Sequence, residues 1–315
     1  MQTLTALFIG LGSIGTRHLN NLAALCEARG WALQADALRS DPARPLRPGA
    51  AERLRAQYTD AAQLPPRYDL IFITNPTSLH AEALCAVYGR GGALFIEKPI
   101  FSAEQTGLDL RALLPAGQKA YVAAPMRWCG TMLALKQLLP KLRPYCARVI
   151  CSSYLPDWRP GVDYRTVYSA RKALGGGVTI DLIHEWDYLV DLFGVPEELY
   201  NLRGTYSELE IDSDDLSVYI ARYPHLLAEV HLDYFGRGYR RSIELFCRDG
   251  SVVADFGAGT LTLPDGAVQL YEEPVNRRYE REMEYFVDYA LGDAPASCNP
   301  PELALQVLQL TLGEK

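Results

Sequence analysis

Three glycines near the amino terminus constrain the fold of this chain most strongly. Gly10, Gly12 and Gly15 form a G-x-G-x-x-G motif between an apolar run and a segment whose apolar residues have helical spacing. In that context the glycines permit a tight turn, a close approach of the backbone to a pyrophosphate, and close helix–strand packing. The motif predicts a dinucleotide site, with Ser13 and Ile14 at the helix start facing the phosphates. The alternative is a structural turn.

The residues up to about 123 alternate between short apolar runs and helical patterns. Such alternation implies right-handed crossovers and a doubly wound parallel sheet that is covered on both faces. After the first strand, the predicted strands lie near residues 32–39, 70–74, 93–96 and 120–123, and the predicted helices near 14–29, 50–57, 77–89 and 103–114.

The pattern changes after residue 123. Closely spaced strands with turn residues between them indicate an antiparallel sheet over residues 198–263. The other predicted elements are a helix near 127–139, a strand near 146–154, a long helix from the glycine triplet 175–177 to residue 194, and helices near 277–291 and 301–312. The fold class is therefore predicted as α/β, with a Rossmann domain over 1–123 followed by an α+β domain over 124–315.

Composition and charge exclude several classes of protein. A length of 315 residues suggests about two domains. The 38 acidic residues outnumber the 31 basic ones, which argues against a general binder of nucleic acids or anionic membranes. The seven cysteines are scattered, without a C-x-x-C pair, as expected for reduced thiols in the cytoplasm. The amino-terminal segment lacks a basic start and reads as a strand, so we do not expect a signal peptide.

The residues that end the second predicted strand bear on the choice between NAD and NADP. Asp36 lies near the distance from the glycine motif at which an acid takes the ribose 2′-hydroxyl of NAD, but it sits inside the strand. Arg39 and Ser40 lie at the strand end, where a guanidinium and a hydroxyl suit a 2′-phosphate. This favours NADP. The alternatives are NAD, and a solvated Arg39 without a role.

Polar residues also follow the predicted strand at 70–74. Ligands of open parallel sheets bind outside the carboxyl ends of the strands. Asn75, Thr77 and His80 are therefore assigned to the cofactor site, where Asn75 and Thr77 suit the ribose or the nicotinamide. The alternative for Thr77 is a helix cap.

Glu97 and Lys98 follow the next predicted strand, so Lys98 is expected to project toward the same crevice. A lysine there suits proton transfer to or from a substrate oxygen, aided by a lowered pKa. The alternative is a strand-end lysine paired with Glu97. Both residues are assigned to the cofactor site, and Lys98 is also a candidate catalytic residue.

A second candidate site lies in the predicted long helix. A spacing of three residues would place Asp181 and His184 on one helix face, with Glu185 and Asp187 nearby. A histidine beside carboxylates suits acid–base work or a hydrogen bond to substrate. The alternative is a histidine satisfied within its helix. These groups do not form a closed set of metal ligands, so no metal is expected.

The loop between residues 154 and 172 is rich in aromatic and basic side chains. Aromatic rings and guanidinium groups together suit a polar, anionic, sugar-like ligand, although tyrosines also fill sheets. The candidate substrate-binding residues of this segment are Tyr154, Trp158, Arg159, Tyr164 and Arg165.

Four motifs in this order resemble the Gfo/Idh/MocA family of NAD(P)-dependent oxidoreductases over almost the whole chain. They are GLGSIGTRHLNNL, ITNPTSLHAEAL, FIEKPI and GGGVTIDLIHEWDYLVDLFG. The resemblance implies a Rossmann domain followed by a domain with a large open, mainly antiparallel sheet. It also implies hydride transfer at a hydroxyl or keto carbon of a sugar or cyclitol, and homodimers or homotetramers formed through that sheet.

The resemblance also implies roles for single residues. Lys98 matches the lysine of the E-K-P motif, commonly followed by a cis proline. His184 and Asp181 match a catalytic histidine and its aspartate, although the spacing here is D-x-x-H and many members have D-x-x-x-H. Arg127 and Trp128, after the crossover to the second domain, are assigned to the substrate cleft.

The loop rich in aromatic and basic residues is similar to that of members from nucleotide-sugar or sialic-acid-like pathways. The alternatives to a sugar dehydrogenase are a non-catalytic dinucleotide-binding sensor or scaffold, and an imine or enone reductase on the same fold.

Overall fold

A computed structural model describes residues 2–292, 294 and 296–314, and the chain divides into two units. The first unit consists of Met1–Ala123 with Tyr279–Leu305, and the second of Ala124–Arg278 with Gln306–Lys315. The strands, in chain order, are β1 Thr3–Ile9, β2 Ala32–Leu38, β3 Leu54–Tyr58, β4 Leu70–Ile73, β5 Ala93–Ile96, β6 Ala120–Val122, β7 Cys146–Tyr154, β8 Glu198–Gly204, β9 Leu216–Arg222, β10 Leu227–Asp233, β11 Phe235–Cys247, β12 Gly250–Asp255, β13 Thr260–Thr262 and β14 Val268–Leu270.

The α-helices are α1 Ser13–Ala28, α2 His80–Ala86, α3 Leu110–Leu113, α4 Gly130–Leu138, α5 Val178–Asp181, α6 His184–Phe193, α7 Asn276–Leu291 and α8 Pro301–Thr311. Short 3-10 turns join several of these elements. Within the described residues, each helix is too short or too polar to cross a bilayer.

The first unit contains a parallel six-stranded sheet in the order β3-β2-β1-β4-β5-β6. Every residue of β4, β5 and β6 is buried, as the continuous apolar runs of their sequences require of strands covered on both faces. The strand order reverses between β1 and β4, where a doubly wound sheet opens its ligand crevice. The predicted Rossmann sheet is confirmed.

Two helices predicted in this unit are wrong. Residues 50–57 form a 3-10 turn at Ala51–Arg53 and then strand β3, because the half-buried and exposed residues alternate with the period of a strand. Residues 103–114 form a 3-10 turn at Ala103–Gln105 and the single helical turn of α3. Asp109 caps the start of α3 by accepting a hydrogen bond from the backbone amide of Arg111.

Helix α7 belongs largely to the first unit because aromatic packing holds it there. The ring of Phe286 lies 5.5 Å from Phe72 and 5.1 Å from Phe95, centroid to centroid. The hydroxyl of Tyr121 donates to Glu282 at 2.8 Å. Residues 279–305 therefore lie in the first unit, whereas a division after residue 123 would assign them to the second.

The second unit contains an eight-stranded sheet in the order β14-β13-β12-β11-β7-β10-β9-β8. Its neighbouring strands are antiparallel except for the parallel pair β7 and β10. Along β7 the alternate residues Ala147, Val149, Cys151 and Ser153 are buried, so one face of this strand packs inward. The predicted, mainly antiparallel sheet is confirmed.

The long helix predicted from the glycine triplet to residue 194 is wrong in one respect that matters for function. It is two helices, since α5 ends at Asp181 and α6 begins at His184. Leu182, between them, has φ −97° and ψ 31°, outside the helical range. Asp181 and His184 therefore do not share a helix face.

Candidate cofactor and proton-transfer sites

The glycine turn at the end of β1 has the geometry that its sequence predicts. Gly10 has φ +87°, and a Cβ there would lie 2.8 Å from the backbone of Asn75. A Cβ on Gly15 would lie 2.5 Å from the carbonyl oxygen of Gly10. No described atom lies within 4 Å of a Cβ built on Gly12, so that side of the turn is open. Helix α1 starts at Ser13 with Ile14 beside it, and its amides fit a pyrophosphate there.

The end of β2 separates two residues that were candidates for the cofactor ribose. Asp36 is fully buried and accepts hydrogen bonds from Arg55 at 3.0 Å and from the hydroxyl of Tyr68 at 2.8 Å. Its carboxylate is thus occupied by hydrogen bonds from Arg55 and Tyr68. Arg39 is half-buried at the strand end, where it donates to Gln57 at 2.7 Å and to two carbonyls of the following loop; Ser40 beside it is exposed.

The loop after β4 places Asn75 at the sheet end. Its amide nitrogen donates to the carbonyl of Leu79 at 3.2 Å, while its Oδ1 is buried and has no partner among the described residues. An unpaired buried oxygen is free to accept a hydrogen bond from a ligand. Thr77 is half-buried and begins the 3-10 turn that leads into α2.

His80 has a different environment from the one predicted. Its ring is fully buried, with Nδ1 3.0 Å from the carbonyl oxygen of Ile100 and Nε2 3.1 Å from that of Asn75. Burial lowers the pKa of His80 and opposes its protonation, although the surrounding carbonyls partly offset this. Because both ring nitrogens face backbone carbonyls, we reassign His80 from a direct cofactor contact to a support of the two strand-end loops.

The end of β5 presents Lys98, followed by a cis peptide bond to Pro99. Lys98 is half-buried, and no described side chain hydrogen bonds to its amine. The alternative of a Lys98–Glu97 side-chain pair is not what is found, because Glu97 accepts the backbone amide of Lys98 at 3.1 Å with one oxygen. The other oxygen of Glu97 lies 2.6 Å from Nε2 of His18.

His18 is a residue that the sequence analysis missed. It lies on the buried face of α1 with Leu19 and Leu22, and a histidine on an apolar face needs a partner, which is the signal that could have found it. Burial raises the pKa of Glu97, but the hydrogen bond from His18 and the charges of His18 and Lys98 outweigh this, so the pKa lies below its ordinary value.

In the second unit, Asp181 is bound by two tyrosines. It is 7% exposed and accepts hydrogen bonds of 2.6 Å from the hydroxyls of Tyr168 and Tyr234, one on each oxygen. Burial, followed by the charge of Asp181, raises the pKa of both tyrosines, so they remain donors at neutral pH. The sequence assigns neither tyrosine to the site, because each lies far from Asp181 in sequence or outside the clear motifs.

His184 is half-buried at the start of α6, but the carboxylates expected near it are bound to arginines. Glu185 is fully buried and forms an ion pair with Arg241 at 2.7 Å. Asp187 is bound by Arg127, whose Nε and terminal nitrogen lie 2.9 and 2.7 Å from its two oxygens. Glu185 and Asp187 are thus each paired with an arginine.

Arg127 is only 2% exposed and also donates to Asp191 at 3.3 Å. Burial raises the pKa of Asp187, and Arg127 opposes that shift. Removing one member of a buried pair leaves an uncompensated charge, so this arginine has a structural role. We reassign Arg127 from substrate contact to support of α6. Trp128, next to it, is half-buried.

The loop rich in aromatic and basic residues surrounds Asp181 in part. The ring of Trp158 meets Tyr234 edge-on at 5.2 Å, and its Nε1 donates to Ser153 at 3.0 Å. The guanidinium of Arg159 lies 5.6 Å from the ring centre of Tyr168. Trp158 and Arg159 thus contact the two tyrosines that bind Asp181. We call these five residues the Asp181 cluster: Trp158, Arg159, Tyr168, Asp181 and Tyr234.

The other predicted substrate residues of this loop have separate partners. Arg237 lies 3.8 Å from the ring centre of Tyr154. Arg165 is exposed and paired with Asp163 and Glu210. Tyr164 lines a small cavity together with Trp158 and Arg159. Among the residues that the structure describes, no three His, Cys, Asp or Glu side chains are grouped to hold a metal ion.

The first unit matches a known family. Residues 4–122 match the Gfo/Idh/MocA model, described as an oxidoreductase family with an NAD-binding Rossmann fold. No curated protein matches the chain in sequence.

Solved structures match the chain over nearly its whole length. An NAD-binding oxidoreductase from Klebsiella pneumoniae is 19% identical with a TM-score of 0.82, covering 99% of this chain and 96% of that one. Levoglucosan dehydrogenase in complex with NADH and levoglucosan is 17% identical with a TM-score of 0.81, covering 98% and 95%. The WlbA dehydrogenase from Bordetella pertussis, in complex with NADH and UDP-GlcNAcA, is 20% identical with a TM-score of 0.76, covering 98% and 94%.

These findings confirm the expected fold, and for residues 4–122 they confirm the expected family of NAD-binding oxidoreductases. Similarity to solved structures at 17–20% identity shows that the chain shares their fold. Residues 4–122 are thus an NAD-binding Rossmann domain of the Gfo/Idh/MocA oxidoreductase family, within a chain that has the two-unit fold of such enzymes.

Proposed function

We propose that the chain transfers a hydride between NAD(P) and a hydroxyl or keto carbon of a sugar derivative. The observation that carries the proposal is Lys98 just after β5, a half-buried residue whose amine no described side chain binds. It lies in the same sheet as the open glycine turn and Asn75. Solved structures of similar fold hold levoglucosan or UDP-GlcNAcA with NADH, which supports a sugar or nucleotide-sugar substrate.

Lys98 is the proposed proton-transfer group. In the oxidation direction its neutral amine takes the hydroxyl proton while the carbinol C–H bond breaks and the carbonyl forms. In the reduction direction its ammonium returns that proton to the oxygen. The bound nicotinamide supplies the hydride chemistry. The same amine therefore serves both directions of the reaction.

The Asp181 cluster and His184 are the proposed substrate-binding groups of the second unit. A carboxylate fixed by two hydroxyls, beside an indole and a guanidinium, provides acceptors, donors and an aromatic face for a polar ring. Trp128, Tyr154, Tyr164 and Arg165 remain predicted substrate contacts. His184 is the proposed assisting acid or base.

For the cofactor we propose a preference for NADP. Asp36 is used inside the fold, and Arg39 with Ser40 occupies the strand end where the ribose 2′-position is expected. The glycine turn, Ser13, Ile14, Asn75 and Thr77 are the proposed contacts for the rest of the dinucleotide.

We also propose a homodimer or homotetramer formed through the sheet of the second unit. Tyr200 and Leu202 of the edge strand β8 are 68% and 78% exposed, an apolar surface of the kind that interfaces cover. All seven cysteines are free thiols, which supports a reducing compartment, the cytoplasm.

A panel assay tests the proposed function. The protein is incubated with NADP⁺ or NAD⁺ and a panel of nucleotide sugars and free sugars, and reduced cofactor is followed at 340 nm. We expect turnover with at least one sugar. Cofactor binding without turnover on any sugar would favour a sensor or scaffold, and turnover only on imines or enones would favour the alternative reductase.

A further inference from the structure

The carboxylate of Glu97 joins helix α1 to the segment that carries Lys98. Its Oε1 lies 2.6 Å from Nε2 of His18, and its Oε2 accepts the backbone amide of Lys98 at 3.1 Å. The imidazole is fully buried and packs against the ring of Phe95 at 4.6 Å. Glu97 itself is 8% exposed. A buried carboxylate with both oxygens bound has one fixed orientation.

The groups that face this carboxylate define its charge environment. His18 faces it from α1, Lys98 follows it in the chain, and His80 of α2 interacts with it electrostatically. The ring of Tyr279 lies 6.2 Å from the His18 ring, centroid to centroid, and the guanidinium of Arg17 lies 4.5 Å from the Tyr279 ring centre. Nδ1 of His18 has no hydrogen-bond partner within the described part of the chain. The hydrogen bond of the imidazole thus goes to Glu97.

We propose that His18 is a positioning residue for Lys98, which it controls by fixing the carboxylate of Glu97 beside the lysine. The proposal rests on the proposed function of Lys98 as the proton-transfer group. The fixed negative charge stabilises the ammonium form of Lys98, and the hydrogen bond to its amide fixes the start of its side chain. His18 acts through Glu97 and does not touch the substrate.

Loss of the hydrogen bond from His18 would leave burial as the dominant influence on Glu97. The carboxylate would then turn away or take up a proton, and the ammonium of Lys98 would lose a nearby opposite charge.

The test measures the titration of Lys98 directly. The chain has six lysines, so reductive methylation with ¹³C-formaldehyde gives few ¹³C resonances, and Lys98→Arg identifies that of Lys98. The pKa of Lys98 is measured in the wild type and in His18→Leu, His18→Gln and Glu97→Gln. Leu19→Ala, on the same helix and fully buried, is the control for lost packing. His18→Asn, whose amide is too short to reach Glu97, replaces His18→Leu if that variant does not fold.

We expect a lower Lys98 pKa in His18→Leu and Glu97→Gln. We expect the wild-type Lys98 pKa in Leu19→Ala. In His18→Gln we expect a Lys98 pKa close to the wild-type value, because the glutamine amide can donate to Glu97 from about the position of Nε2. An unchanged Lys98 pKa in His18→Leu, or the same fall in His18→Gln, overturns the proposal. The measurement needs no substrate, so a failure of the sugar panel refutes the proposed function and leaves this result standing.

Discussion

The Glu97–Lys98 and Asp181–His184 segments each place a carboxylate close in sequence to a proton-carrying side chain. The two carboxylates are held in place by different contacts. Glu97 directly follows a buried parallel strand and is fixed by His18 and by the next backbone amide. Asp181 ends a single helical turn and is fixed by hydroxyls from a loop and from the residue between β10 and β11. The first arrangement follows from the sheet, and the second from tertiary contacts.

Because of this difference, substitutions in the two regions are expected to have different effects. At a strand end the sheet determines where side chains project, so a single substitution there changes chemistry more than structure. In the Asp181 cluster the position of the carboxylate depends on Tyr168 and Tyr234 themselves. Substitutions in that cluster are expected to change substrate binding gradually.

The largest effect is expected from Lys98→Ala. A general acid–base group contributes about 10²–10⁴-fold to turnover, so kcat should fall by about that factor while cofactor affinity is kept. Stopped-flow and steady-state rates at 340 nm, with cofactor affinity from fluorescence titration, measure both. Lys141→Ala, an exposed lysine, is the control. Wild-type turnover in Lys98→Ala would remove Lys98 from the mechanism.

Arg39→Ala tests the cofactor side of the same sheet. Loss of a charged hydrogen-bond donor to a phosphate should raise the Kd for NADP by about 10- to 100-fold and leave the Kd for NAD nearly unchanged. Calorimetric titration with both cofactors measures the ratio, and Arg111→Ala, on an exposed helix turn, is the control. An equal change for both cofactors would contradict the assignment of Arg39 to the 2′-phosphate.

Tyr234→Phe tests the Asp181 cluster. One of the two hydrogen bonds to Asp181 is lost, so kcat/KM for the sugar is expected to fall by about 2- to 10-fold. Affinity for the cofactor should stay the same. Tyr223→Phe is a matched control, since the buried hydroxyl of Tyr223 has no hydrogen-bond partner among the residues described. If both variants behave alike, Asp181 is not fixed by Tyr234 for function.

The smallest effect concerns stability and pH. The pKa of Glu97 is lowered in the folded state, so its contribution to stability is present above its unfolded value of about 4.3 and is lost as the pH falls through the folded value. The Tm difference between wild type and Glu97→Gln should therefore be a few °C near pH 7, since about 1 kcal/mol shifts Tm by about 2–4 °C in chains of 150–250 residues. It should shrink below about pH 4. Calorimetry across this pH range measures the Tm difference. A Tm difference that grows toward low pH would contradict a lowered pKa of Glu97 in the folded state.

Much of the first unit could be predicted from sequence because buried parallel strands are continuous apolar runs and glycine positions are sterically determined. Strand β3 could not be recognised as a strand, since LRAQY alternates weakly and contains helix-favouring residues. The partners of Glu97 and His80 could not be predicted, because His18 and Ile100, respectively, are distant from them in sequence.

The second unit shows the limit of periodicity. The spacing of Asp181 and His184 fits one helix face, yet the helix breaks between them at Leu182. Arg127 looked like a cleft residue because it follows the crossover, whereas Asp187 and Asp191 bind it inside the unit. Such long-range pairs depend on packing, which a local pattern does not contain.

Chemical rescue of Lys98→Ala by added methylamine tests the central claim most directly. If Lys98 supplies an amine that moves the hydroxyl proton, the lost rate of 340 nm absorbance change should return in proportion to the concentration of free amine, and the wild type should not respond. A variant that methylamine leaves inactive, although it binds cofactor and sugar as the wild type does, would contradict the account.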